Sequence, residues 1–303
     1  MIVGVDIGGT KTAVAGFAPD DEGGLRRVTP VRTIATPARD GGDAIVRAVR
    51  DAVGEVCGAT RIEAVGVGTA GVVGSDGSIT SATDAIRDWT GFPVRQELVR
   101  AIGVPVSVVN DVHAAAVAES SVGAGAAADS VLLVAVGTGI GGAVVLGDGL
   151  RRGVTGTAGS VGHTEIALPP RLAERRCPCG ARAHVEAVAS GPGLEQTYLE
   201  ESGVRGTLRE VSAAAREGDM LARRVIADGA QYLGRALAGA NALLDVEVIV
   251  IGGGVAEIGA SYLAEVESAY RAVAMPGPAR ARIVPAALGI DAGLTGAALV
   301  AIA

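Results

Sequence analysis

The chain repeats one unit: an apolar strand, a glycine turn containing a threonine, and a second apolar strand. The first copy runs from Ile2 through Asp6-Ile-Gly-Gly-Thr-Lys11 to Phe17, the second from Val131 through Gly137-Thr-Gly-Ile-Gly-Gly142 to Leu146. Apolar runs of this kind suit buried strands. Gly8 and Gly9, like Gly137 and Gly139, let the backbone turn tightly and approach a ligand without a Cβ. Successive N–H groups in such a turn point at an anion, and Thr10 and Thr138 add a hydroxyl. One copy alone reads as well as a plain hairpin. Two facing each other would clamp a polyphosphate. Lys11 sharpens the first copy. It is the only lysine, every other member of the 26 Lys+Arg being arginine, so a compact point charge rather than a planar fork is wanted there.

Beyond these units strands alternate with helices, the mark of an α/β fold. The pattern predicts helices over Asp43–Cys57, Gln96–Ile102, His113–Ser121, Glu210–Glu217 and Met220–Leu244, with a closing helix over Asp291–Ile302. Short apolar runs predict strands at Ala64–Val67, Pro105–Val109 and Val246–Ile251. The first of these enters the turn Gly68-Thr-Ala-Gly71. The last enters Gly252-Gly-Gly254 ahead of a helix, which suits the α-phosphate or adenosine side of a nucleotide. Arg151–Gly193 reads as irregular.

Hydrophobic content is 49 % but aromatics are 2 %, so the core has to be built from Ala, Val, Leu and Ile. A net charge of −7 lacks the basic footprint of a nucleic-acid binder and suits small-molecule ligands. No apolar run approaches the roughly 18 residues of a membrane span. Asp6 and Lys11 break the only apolar start, so no secretory signal is expected and the expected location is cytoplasmic.

Two constellations carry chemistry. Asp111 follows an apolar strand and precedes a helix, where active-site groups of α/β folds gather. A carboxylate there can take the proton of a hydroxyl that attacks a γ-phosphate, and Asn110 can hydrogen-bond hydroxyls. The pair reads equally as a turn and N-cap of the Ala-rich helix. Cys177 and Cys179, with His163 and His184, offer two thiolates and two imidazoles, a tetrahedral zinc set with no open position for hydrolysis. The alternative is a pair of buried thiols.

In this order, Asp6-Ile-Gly-Gly-Thr-Lys11, Asn110-Asp111, Gly137-Thr-Gly-Ile-Gly-Gly142, Gly162-His163, Cys177-Pro-Cys-Gly180 and Val248–Gly254 resemble the ROK family of sugar kinases along essentially the whole chain. The resemblance implies the two-lobed actin-like ATPase (ribonuclease-H-like) fold with a central interlobe cleft. Residues 1–111 plus 290–303 would form the small lobe, and 112–289 the large lobe with the ATP subsite and the zinc loop. It implies that Asp6, Gly8, Gly9, Thr10, Lys11, Gly137, Thr138, Gly139, Gly253 and Gly254 hold ATP and Mg²⁺, with Asp6 near the metal through water. Asp111 becomes the catalytic base. Gly71, Asp84, Asn110, Asp111, Ser160, His163 and Glu186 become the sugar pocket. A structural Zn²⁺ on His163, Cys177, Cys179 and His184 would order the loop and orient His163 and Glu186. A homodimer is the implied assembly.

Departures from the family bear on the sugar. His184 takes the place of a third cysteine and Ala183 that of the glycine before it. Ser160 stands where the family has a glutamate, and Asp84 near a usual sugar-contacting asparagine, although it reads equally as a solvated loop acid. Trp89, the only tryptophan, is expected at the cleft rim. The Ala-Gly-x-x-Gly-His-Thr run at Ala158–Thr164 looks most like bacterial N-acetylmannosamine kinases, so the expected acceptor is an N-acylhexosamine, with glucose the alternative. The family's repressors carry an N-terminal helix-turn-helix, for which a first strand at Ile2 leaves no room. A binding module without sugar turnover is the remaining alternative.

Overall fold

The computed structural model describes residues 1–20, 24–147 and 149–303. It divides into two compact units: Met1–Gly123 with Gly149–Ala158 and Leu288–Ala303, and Ala124–Asp148 with Gly159–Ala287.

The two repeated hairpins seed two sheets of the same plan. In the first unit Ile2–Ile7 pairs antiparallel with Lys11–Pro19 and parallel with Ala64–Thr69. Ala64–Thr69 then pairs parallel with Val106–Asn110. In the second, Ser130–Val136 pairs antiparallel with Ile140–Leu146 and parallel with Val248–Gly252, which pairs parallel with Arg282–Pro285. Each sheet is therefore a hairpin continued on one side by two parallel strands. That plan brings each glycine turn to the same end of its sheet as the C-terminal ends of those strands. The first sheet is extended by Leu25–Arg27 and Arg32–Ala35, both on Lys11–Pro19.

Local sequence explains the helices that frame the sites. Gly42–Cys57 buries Ile45, Val49, Ala52 and Val53 on one face, as its periodicity predicts. Asp111–Ser121 starts where the Asn110 side chain accepts the backbone N–H groups of Val112 and His113. Met220–Leu244 is capped in the same way by Asp219. Helices run against expectation in the stretch read as irregular: Pro170–Ala173, Glu186–Ala189 and, starting near its end, the longer Gly191–Ser202. Its opening Gly-Pro-Gly looks like a chain breaker, but Pro is well placed in a first helical turn, and Ser190 caps it by accepting from Gly193 N–H.

With so few aromatics, packing relies on close backbone approach. The closing helix, Asp291–Val300, lies against the first sheet. A Cβ on Gly66 would fall on the Ala297 carbonyl oxygen, with no flexible side chain to give way. Gly54, in the last turn of Gly42–Cys57, meets nothing within 4 Å. Gly66→Ala should therefore destabilise the chain by about 3 kcal/mol or more. Gly54→Ala should stabilise it by roughly 0.5–1 kcal/mol. Denaturant midpoints of the two variants, moving in opposite directions, check this.

Candidate active site

In the first unit the site begins at the Gly8–Thr10 turn. Gly8 N–H donates to Lys11 O at 3.0 Å. The turn is braced by a residue the sequence does not flag. Thr36 donates its hydroxyl to Gly8 O at 2.7 Å and its backbone N–H to Thr10 O, and pairs its hydroxyl with that of Thr12. Thr10 and Lys11 are exposed at the tip.

Asp6 is the penultimate residue of the central strand, in register with Gly68 on the neighbouring one, and Thr69 is in register with Asn110 on the next. Asp6 and Asp111 thus stand two parallel strands apart, roughly 10 Å at backbone level, with a glycine between. Burial, and then the Asp111 charge, pushes the Asp6 carboxyl up to about 6. Burial also raises Asp111, against the opposing effect of hydrogen bonds from Val112 N–H and Asn110. Asn110 is heavily engaged: its Oδ1 caps the helix and its Nδ2 donates to Gly71 O at 3.0 Å. That bond ties the Gly71 turn to Asp111. Asp84 is exposed. Trp89 is not at a rim. It is 2 % exposed, stacks on Phe92 with centroids 5.4 Å apart, and donates its indole N–H to Ala70 O, so its only polar atom supports the same turn.

In the second unit the turn Gly137-Thr138-Gly139 opens on a cavity of about 720 Å³, within the size range of ligand pockets. Its walls include Gly137, Thr138, Gly254, Arg209, Ser212 and Ile258. Gly253 has φ +87° and packs on Val136 O, which only glycine allows without strain. Gly137 and Gly254 leave open space where a Cβ would stand. Gly191 N–H, at the start of Gly191–Ser202, donates to Gly137 O at 2.8 Å, so the turn also lies beside a helix N-terminus. The sequence places the glycines here but misses Arg209, Ser212 and the helix start. Ser190 followed by Pro192 is the signal that could have found the last.

His163, Cys177, Cys179 and His184 come together with their ligand atoms all within 4.8 Å of one another. Cys177 Sγ is 3.5 Å from His163 Nδ1, and Cys179 Sγ 3.3 Å from His184 Nδ1. A tetrahedral zinc needs sulfur–nitrogen separations of about 3.6 Å, so the four residues fit that ion. Without a cation, burial pushes the Cys177 thiol up to about 12; a bound metal reverses that preference. Ala183 adopts φ +56°, the left-handed conformation that a glycine would hold more easily. Glu186 is buried at 8 % exposure; one oxygen accepts Ile140 N–H at 2.8 Å and the other accepts from Cys177 Sγ at 3.4 Å. Ser160 is half-buried just before a short 3₁₀ turn, Val161–His163, and its carbonyl accepts His163 N–H at 3.1 Å.

The family model described as "ROK family" matches residues 2–303. The chain is 33 % identical to a glucokinase of Streptomyces coelicolor over 98 % of this chain and 96 % of the relative. It is 34 % identical to an N-acetylmannosamine kinase of Escherichia coli O1:K1, over 98 % and 97 %. The crystal structure of a ROK family glucokinase from Streptomyces griseus, in complex with glucose and AMPPNP, superposes with a TM-score of 0.79 at 33 % identity, covering 99 % of each chain. The fold is accordingly the actin-like ATPase α/β fold that the motifs imply.

The Asp6 carboxyl gives a pH prediction. It is protonated up to about pH 6 in the folded chain but only to 3.8, the ordinary value, when unfolded. Between those values the folded state holds the extra proton, so its contribution to stability is complete below about pH 4 and is lost as pH rises through about 6. Asp6→Asn should match wild type near pH 4 and exceed it by on the order of 2–3 kcal/mol at pH 7.5 without ligands. Denaturant titrations across that range check it, and equal stabilities at pH 7.5 would contradict it.

Proposed function

The chain belongs to the ROK family and is an ATP-dependent sugar kinase, a phosphotransferase with an alcohol acceptor; we propose that it passes the γ-phosphoryl group of Mg-ATP to the 6-hydroxyl of a hexose or N-acylhexosamine, with Asp111 as the base. The observation that carries the role of Asp111 is its position. It is a half-buried carboxyl at the C-terminal end of a sheet strand, its pKa raised by burial, in a helix start fixed by Asn110. A raised pKa brings a base closer to the operating pH. In the proposed step Asp111 takes the hydroxyl proton, the sugar O6 bonds to the γ-phosphorus, and the bond from that phosphorus to the β–γ bridging oxygen breaks, leaving ADP.

The chain's residues divide the work. Gly137, Thr138 and Gly139 grip the phosphates from their turn, and Gly253 and Gly254 border the nucleoside end. In the first turn Gly8 N–H closes the hairpin on Lys11 O, Gly9 and Thr10 offer the second set of N–H groups, and Lys11 offsets phosphate charge as a point charge. Asp6 would hold Mg²⁺ through water, and the ion would neutralise phosphate charge when bound. The acceptor is read by Gly71, Asp84, Asn110, Ser160, His163 and Glu186. Glu186 keeps lone pairs beyond its two partners. Ser160 is shorter than a glutamate and leaves room for an N-acyl group, so N-acetylmannosamine is the preferred acceptor and glucose the alternative.

Zinc on the Cys/His cluster is proposed as a structural ion, since four protein ligands leave no open position. Elemental analysis of the purified chain should return one zinc per chain, and Cys177→Ala should lose it; a zinc-free wild type with normal turnover would end this reading. The homodimer and the cytoplasmic location are proposed on the family's ground. No helix among the described residues is long and apolar enough to cross a membrane.

The kinase reading is tested with MgATP and a panel of hexoses and N-acetylhexosamines. ADP release should depend on sugar, with kcat/KM highest for N-acetylmannosamine. Asp111→Asn should lower kcat by about 10²–10⁴-fold with the nucleotide still bound. Turnover with no sugar in the panel would favour a binding or regulatory protein instead.

A further inference from the structure

The phosphate turn and the Cys/His loop meet at one buried side chain. Glu186 Oε2 accepts Ile140 N–H at 2.8 Å, and Ile140 is the residue that follows Gly137-Thr138-Gly139 into its strand. A Cβ on Gly139 would stand 2.6 Å from the same Oε2, so the carboxylate is packed directly on the turn. Its other oxygen faces Cys177 Sγ. Glu186 also opens the short helix Glu186–Ala189, which leads into Ser190 and Gly191, the residue whose N–H holds Gly137 O. The turn is thus gripped at both ends, Gly137 and Ile140, by a stretch of only six residues.

We propose that Glu186 is a positioning residue for the nucleotide: its carboxylate fixes the Gly137–Ile140 turn so that the remaining N–H groups point at the phosphates. The physical reason is conformational. A glycine turn is floppy by itself, since glycine surrenders more backbone freedom on ordering than any other residue. An anion-binding turn held in its bound shape does not pay that cost again on binding. A charged acceptor on a buried backbone N–H is among the stronger brackets available. This differs from the sugar contact that the family assigns to Glu186, because it acts on ATP with no sugar present. It rests on the reading of Gly137–Gly139 as the nucleotide turn.

The test is calorimetric binding of Mg-AMPPNP without sugar, alongside KM values for ATP and sugar, zinc content and melting temperature for each variant. Glu186→Ala should weaken the nucleotide about tenfold or more and raise KM for ATP. Glu186→Gln, whose amide oxygen can still accept Ile140 N–H, should recover to within about threefold of wild type. Gly139→Ala, which pushes on the same oxygen, should also weaken the nucleotide, and its loss should not add to that of Glu186→Ala. If Glu186→Ala binds nucleotide as tightly as wild type and only the sugar KM rises, the inference is wrong and the kinase reading stands. Additive losses, or a glutamine variant as weak as the alanine, would also overturn it. If wild type binds no Mg-AMPPNP, the nucleotide reading of the turn is what fails.

Discussion

Backbone pressed on backbone at Gly66 sets the geometry on which the first site depends. The strand Ala64–Thr69 lies between the strand that carries Asp6 and the strand Val106–Asn110, which leads directly into Asp111. The closing helix, Asp291–Val300, can lie against that strand only because Gly66 offers no Cβ to the Ala297 carbonyl. The same helix brings Gly293 against Asp6, where a Cβ would stand 2.9 Å from Oδ2. Close approach desolvates both acids, and burial is the largest cause of each raised pKa. A chain so poor in aromatics achieves its packing by shortening distances rather than by filling them, and the electrostatics of the site follow from that choice.

The second unit solves a different problem. Its glycine turn needs open N–H groups, yet open backbone is costly to hold in one shape. Gly191 N–H on Gly137 O, Val255 N–H on Val136 O, and Glu186 on Ile140 N–H each bind the turn or its flanking strands. The Cys/His cluster stands behind one of these brackets. A structural ion there would act on the nucleotide by ordering the loop that contains Glu186, with no need to touch a phosphate.

Much of this was legible in the residues. The doubled strand–turn–strand unit announced two sheets of one plan, because hydrophobic run length and paired glycines are local signals. Cys177, Cys179 and His184 lie within eight residues of one another, and their spacing alone pointed to a metal set. Asn110 was ambiguous between cap and sugar ligand, and the structure shows the cap directly. What local sequence did not show depends on partners far away in the chain. Thr36 braces a turn some 28 residues earlier. Trp89 has a polar atom, which favours a wet rim, but Ala70 O satisfies it in the interior. The helix Gly191–Ser202 was masked by Gly-Pro-Gly, whose breaker reading holds inside a helix and fails at its start.

The central claim is that a proton accepted by Asp111 releases the sugar's 6-hydroxyl for attack on the γ-phosphate. The most direct measurement is the phosphorus NMR spectrum of the product formed from MgATP and N-acetylmannosamine, with coupling to the sugar protons recorded. The account predicts a phosphomonoester coupled to the two protons on C6, formed in step with ADP and absent with Asp111→Asn. Inorganic phosphate as the only product, a phosphate on another carbon, or an undiminished rate in the variant would contradict it.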